Sequence, residues 1–167
     1  MVEVSLVPIT NASQEDADLL IKLRNECGWN AELVPEWIEE AKTGVRVLYF
    51  VRNINGAVIG MVSLLLVHKA DLRYADKSAK RTGLQHLFIQ KQFEGKGYGS
   101  AAIREIERIA VEQFSSETMF LLGDKSNSRA FGLYQRLGYE EVVGMGEKEW
   151  EPWVVMRKSL SLSSLFA

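Results

Sequence analysis

The sequence predicts an α/β fold with one mixed, mostly antiparallel sheet and helices on both faces. Three observations predict it. Short segments show the two-residue alternation of half-buried strands, beginning with Val4 and Leu6 against Glu3 and Ser5. Between them lie stretches whose apolar residues recur at helical spacing, such as Ile103, Ile106, Ile109 and Ala110. A glycine-rich run, Gln92-Phe93-Glu94-Gly95-Lys96-Gly97-Tyr98-Gly99-Ser100, joins the apolar segment Leu87-Phe88-Ile89 to that last helix.

Taken in order, residues 2–9 read as the first strand. Ser13 with Asp16 three residues on resembles a capping box and opens a helix carrying Leu19, Leu20 and Leu23, which Cys27-Gly28 ends. Pro35 suits the first position of a second helix, running to Lys42 and closed by Gly44. Residues 46–52 and 57–67 are apolar runs joined by Asn55-Gly56, a pair that predicts a hairpin with a type I′ turn. A polar stretch, 69–82, precedes a strand at 84–90, the glycine run and a helix over 98–113. A strand at 118–122, a helix capped by Asn127, and a closing antiparallel pair at 139–145 and 150–158 complete the domain. Residues 1–159 form the single predicted domain, and the Ser/Leu-rich 160–167 is a tail with no strong packing signal.

Composition excludes several classes. At 167 residues the chain suits one domain with a sizeable core, and 47% apolar with 25% charged residues is ordinary for a globular protein. A formal net charge of −2 gives no basic field for nucleic acid or an anionic membrane. The single Cys27 forbids an internal disulfide, and His68 and His86 stand without metal-ligand spacing, so no metal is expected. No signal peptide or stretch of membrane-spanning length is seen, so a reducing, cytoplasmic setting is the expectation.

The glycine run carries the chemistry. Glycine exposes backbone N–H groups, and a helix N-terminus adds the positive end of its dipole, so strand, glycine turn and helix together predict a phosphate-bearing ligand. The spacing G-x-G-x-G is not the G-x-G-x-x-G of dinucleotide-binding folds, and Gly95-Lys96 is followed by Gly97 rather than the Ser or Thr of a P-loop. Residues 92–97 instead satisfy Q/R-x-x-G-x-G/A, and this segment closely resembles the pyrophosphate-binding signature of the GNAT superfamily of N-acetyltransferases. A second segment, residues 127–139, resembles the later GNAT pattern N-x-x-A-x-x-L-Y-x-x-x-G-F/Y. Locally it is a capped helix: Asn127 at the N-cap, Ala130, Leu133, Tyr134 and Leu137 on one face, Gly138 as terminator. The two motifs lie within residues 84–139, about a third of the chain.

The resemblance implies the GNAT fold, acetyl-CoA as acyl donor, and a primary amine as acceptor that attacks directly, with no covalent enzyme intermediate. It implies that Gln92 opens the signature and that the backbone of Glu94, Gly95, Lys96, Gly97, Tyr98, Gly99 and Ser100 cradles the pyrophosphate; the Lys96 side chain either screens that charge or stands as an exposed loop lysine. Phe88 and Ile89 match the strand positions that pair with the pantetheine arm, and the N–H of Leu87 matches the donor to the thioester carbonyl. Asn127, Ala130 and Tyr134 fall at cofactor-facing positions, Tyr134 matching the acid that protonates the departing thiolate. Glu94 stands where the family often has arginine, and is expected to turn outward.

The base is less defined. Many relatives place a carboxylate on the strand before the loop, where this chain has Gly83-Leu84-Gln85-His86, and glutamine cannot accept a proton. His86 is the nearest titratable candidate, although strand alternation predicts that Gln85 and His86 point to opposite faces. Asp124 is a lesser candidate. Residues 13–44 hold eight acidic against three basic residues together with Trp29 and Trp37, a set that suits either a cationic amine or a solvated helix face over a tryptophan core. Residues 69–82 are net basic, suited to the cofactor's 3′-phosphate, an acidic substrate or solvent. Trp150 and Trp153 flank Pro152, positions suited to wall an acceptor pocket or to form a homodimer edge. The sequence thus favours transfer to a small-molecule amine, with peptide or protein acetylation and a non-catalytic acyl-CoA sensor as the other readings.

Overall fold

The structure is a computed structural model and describes residues 2–146 and 150–165. In chain order the elements are β1 (Val4–Pro8), α1 (Gln14–Cys27), α2 (Val34–Lys42), β2 (Arg46–Asn53), β3 (Val58–Leu65), β4 (Arg81–Ile89), α3 (Tyr98–Phe114), β5 (Thr118–Asp124), α4 (Ser128–Arg136), β6 (Glu140–Glu141), β7 (Trp153–Ser159) and α5 (Leu162–Leu165). The strands form one sheet in the order β1-β2-β3-β4-β5-β7-β6. Only the β4–β5 pairing is parallel among the described strands; the rest are antiparallel.

Helices cover both faces, as predicted. On one face Leu20 and Leu23 of α1 and Val34 and Trp37 of α2 pack on Leu48, Phe50 and Met61. On the other, Ile103, Ile106 and Ile109 of α3 meet Tyr49, Val51, Val62, Leu64, Leu84, Met119 and Leu121, and Phe131, Leu133 and Leu137 of α4 extend that layer. Burying each such Leu or Ile contributes about 1.5–3 kcal/mol. A charged cluster sits under α3: Glu107, 1% exposed, accepts from the Tyr139 hydroxyl at 3.0 Å and from Lys158 of β7 at 2.9 Å.

Local signals set most boundaries. Ser13 and Asp16 form the reciprocal capping box, with Ser13 N donating to Asp16 at 3.0 Å and Asp16 N to Ser13 Oγ at 3.1 Å. Gly138, at φ 98°, ends α4, and the Tyr139 N–H closes back on the Tyr134 carbonyl at 3.0 Å.

Three expectations are corrected. The β2–β3 hairpin is not type I′: its loop is three residues, Ile54 and Asn55 keep negative φ, and Gly56 alone takes φ 81°. Asn53 stabilises that longer loop, its side-chain oxygen accepting from the N–H groups of Asn55 and Ala57. β4 begins at Arg81, inside the stretch read as polar loop, because Arg81, Thr82 and Gly83 pair with Thr118, Met119 and Phe120. The closing pair is unequal: β6 is two residues long, after which Gly144 and Gly146 turn at positive φ. After β7, Leu160 is buried in the core and α5 lies against α3. No helix among the described residues is long and apolar enough to cross a membrane.

Candidate active site

The site begins where the sheet parts. β4 and β5 pair for only three residues, ending at Gly83 and Phe120. Beyond that, Phe88 and Ile89 remain paired to Met61 and Gly60 of β3 on one side. The edge of β4 facing β5 pairs with no strand among the described residues from Leu84 onward, so main-chain groups there are available to an extended amide-bearing ligand.

At the end of that split lies the glycine run. Residues 91–93 form a single 3₁₀ turn carrying Gln92, and Gly95 and Gly97 follow at φ 73° and 90°. A Cβ would be strained at either φ, whatever the space around it. Gly97 is the N-cap of α3 and offers no side-chain cap, and the first turn, Tyr98-Gly99-Ser100, carries no acidic residue. The orphan donors of a 17-residue helix therefore face outward with their dipole unopposed. Lys96 Nζ lies 6.0 Å from the Phe93 ring centre, and Phe93 packs edge-on to Tyr98. Glu94 lies 4.0 Å from Arg129 of α4, and a Cβ on Gly95 would sit 3.1 Å from the same guanidinium. Arg129 thus overhangs the loop and answers the carboxylate at the unusual position. The sequence carries no signal for Arg129, because only the neighbouring Asn127 and Ala130 belong to the motif. These residues fit a pyrophosphate at the loop and an extended arm in the split.

β4 itself is bulged. Between Phe88, opposite Met61, and Gln85, opposite Ser63, two residues face one on β3, and His86 takes φ 57°. The expectation that Gln85 and His86 point to opposite faces is overturned, because the bulge interrupts alternation. Both turn to the α1–α2 face: Gln85 accepts from Arg46 Nη1 at 2.8 Å, and His86 stacks on Trp37 at 3.8 Å between ring centres. Gly60 makes the bulge feasible, since a Cβ there would stand 2.0 Å from the Phe88 carbonyl oxygen.

Two arginines invisible as site residues in the sequence are buried beside His86. Arg24 of α1, 4% exposed, donates to the carbonyls of Trp29 at 2.9 Å and His86 at 3.4 Å, with Trp37 5.5 Å away. Arg46, 7% exposed, donates to Ser63 and Gln85 and lies 3.5 Å from Glu40. Burial, followed by repulsion from Arg46 and Arg24, pushes the His86 pKa down to about 3. His86 is therefore neutral at physiological pH, with a buried Nδ1 that has no hydrogen-bond partner among the described residues.

The acidic residues of 13–44 are largely engaged locally. Asp16 is in the capping box, Asp18 accepts from Gln14, Glu26 from Gln90, Glu39 pairs with Lys42, and Glu40 with Arg46 and Lys69. Trp37 is core, whereas Trp29 is 65% exposed.

Tyr134 stands half-buried on the inner face of α4, packed edge-on to Tyr139. Burial raises its pKa, so the phenol stays protonated, and its hydroxyl makes no hydrogen bond among the described residues. Asn127 is committed as the α4 cap, accepting from Ala130 N at 3.2 Å. Asp124 is committed to a turn, accepting from the Ser126 N–H and hydroxyl.

Comparison with known proteins matches this geometry to a family. The model of the Acetyltransferase (GNAT) family matches residues 15–139. An N-alpha-acetyltransferase of Sulfurisphaera tokodaii is 26% identical over 141 residues, covering 80% of each chain. The crystal structure of spermidine N-acetyltransferase from Vibrio cholerae in complex with CoA and spermine superposes with a TM-score of 0.74 at 15% identity, covering 99% of both chains. The Campylobacter jejuni N-acetyltransferase PseH superposes at 0.68 and 16% identity, over 95% of this chain and 99% of that one. The split sheet, the uncapped helix behind its glycine turn and the matched family model agree, and the chain belongs to the GNAT family of acetyltransferases.

Proposed function

We propose that this enzyme transfers an acetyl group from acetyl-CoA to the primary amine of a small molecule, by direct attack in a ternary complex. The observation that carries the reading is the split between β4 and β5 leading to the uncapped N-terminus of α3. Acetyl-CoA supplies an acetyl group activated as a thioester. The α3 N-terminus, the glycine backbone and Arg129 hold the pyrophosphate. The free edge of β4 at Leu87, Phe88 and Ile89 fixes the extended arm, and the Leu87 N–H stabilises charge developing on the carbonyl oxygen. Tyr134, kept protonated by burial, gives its proton to the departing sulfur. His86, a neutral imidazole with a pKa of about 3, serves only as a hydrogen-bond acceptor that orients the attacking amine, and the proton the amine loses goes to solvent water.

The small-molecule acceptor draws support from the spermidine acetyltransferase fold neighbour. A second reading, acetylation of a peptide α-amine, draws support from the N-alpha-acetyltransferase relative. Free-thiol release from acetyl-CoA against polyamines, arylalkylamines, amino acids, aminoglycosides and short peptides decides between them. Turnover with peptides alone replaces the first reading with the second, and acetyl-CoA binding without turnover on any acceptor overturns both. Tyr134→Phe should lower turnover about 100-fold, equivalent to about 2.7 kcal/mol, with acetyl-CoA binding retained.

A further inference from the structure

The α1–α2 face of the sheet continues beyond the proposed transfer centre. Along β4, Arg81, Gly83 and Gln85 share that face by alternation, and Gln85 reaches Arg46 there. Across the sheet, Arg81 pairs with Thr118, Thr118 with Ser159, and Phe120 with Arg157, so these side chains stand side by side. Arg73 and Met145 join these residues in lining an open cavity of about 480 Å³. That volume is within the range of small-molecule sites. Three guanidiniums and the hydroxyls of Thr118 and Ser159 line it, with no carboxylate among its described lining residues.

Two of the three guanidiniums have acidic partners. Asp71 clamps Arg73 at 2.6 Å, and Asp76 lies 3.8 Å from Arg81, whose Nε and Nη2 both donate to the Leu72 carbonyl at 3.4 and 3.2 Å, leaving its Nη1 toward the cavity's ligand. Arg157 is exposed and has no ion pair or hydrogen bond among the described residues. Guanidinium forks match phosphate and carboxylate oxygens two at a time, and hydroxyls complete such a shell. His86 lies five residues beyond Arg81 on β4, roughly 17 Å at about 3.3 Å per residue, so a small amine does not span both places.

We propose that this cavity is a second binding site, for a small molecule bearing a phosphate or paired carboxylates, held by Arg157 and Arg81 with Thr118 and Ser159 as neutral donors. The proposal is independent of the acetyl-transfer reading. The test is titration of the full chain with inorganic pyrophosphate, followed by amide NMR shifts, because pyrophosphate also suits the glycine loop and the two sites report separately. Amides of residues 118–120 and 157–159 should shift with their own saturation curve, distinct from residues 95–100. Arg157→Gln, an exposed change that leaves the core intact, should weaken binding at the first set about tenfold and leave the second set unchanged; Arg157→Lys should recover part of the loss. The KM for the amine acceptor should be unchanged in Arg157→Gln, and a raised KM makes the cavity part of the acceptor site and overturns a separate second site. Shifts confined to residues 95–100, or shifts at 118–120 that survive Arg157→Gln undiminished, overturn the proposal.

Discussion

The glycine loop and the β4 bulge both aim backbone toward the split in the sheet, yet they hold unusual backbone angles in opposite ways. The loop uses residues without a Cβ, Gly95 at φ 73° and Gly97 at φ 90°, so the conformation is satisfied where it occurs. The bulge puts a histidine at φ 57°, a region costly for side chains of that size. Its support comes from elsewhere: the missing Cβ of Gly60 on β3, the Arg24 hydrogen bond to the His86 carbonyl, and the Trp37 ring against the imidazole. A local device tolerates change around it, whereas a device held by three separate elements fails when any one is altered.

The largest expected effect is at the bulge's support. Gly60→Val places carbon where the Phe88 carbonyl stands and should destabilise by about 3 kcal/mol, seen as a lower midpoint in denaturant. If the variant is as stable as the parent, the bulge does not depend on its neighbour strand. Next is Gly97→Ala, with room for the methyl beside Val2 but an unfavourable φ. It should cost about 1–2 kcal/mol, shared between stability and acetyl-CoA affinity, and calorimetry should find the loss mainly in affinity if the loop is a local device.

His86 gives the third test. Unfolded, it titrates near 6.5; folded, near 3. Between those values the unfolded chain takes up a proton that the folded chain refuses, so stability falls as pH falls. The slope is at most about 1.4 kcal/mol per pH unit, and above about pH 6.5 the contribution is level. His86→Asn, which keeps a residue tolerant of positive φ, should flatten this slope in acid unfolding curves; equal slopes in both proteins would contradict the burial of a neutral imidazole. The smallest effect is Arg129→Gln. Because Arg129 is exposed and salt-screened, it should raise the acetyl-CoA Kd by about fivefold, roughly 1 kcal/mol, and most strongly at low ionic strength.

The same contrast explains what could be read from the chain. Ser13, Gly28, Asn127 and Gly138 each make their bonds within a few residues, and the helix ends they predict are where the structure has them. The glycine loop is legible for that reason. The bulge is not, because Gln85 and His86 look like ordinary strand residues and the cause lies at Gly60 and Arg24, far along the chain. The start of β4 at Arg81 was hidden because its partner, Thr118, is equally remote, and the charged residues around it read as loop. Arg24 and Arg46 resemble surface arginines until the fold buries them against Trp37.

Three paired residues between β4 and β5 join the sheet's two halves, with β1–β4 on one side and β5, β7 and β6 on the other. The sheet is therefore less a continuous plate than two leaves on a short hinge, backed by α3. An extended ligand bonding to both free edges would act as a missing strand and carry the hydrogen-bond network across the gap. Amides lining the gap should then gain the most protection from exchange on binding, and the two leaves should melt as one unit more firmly than they do alone.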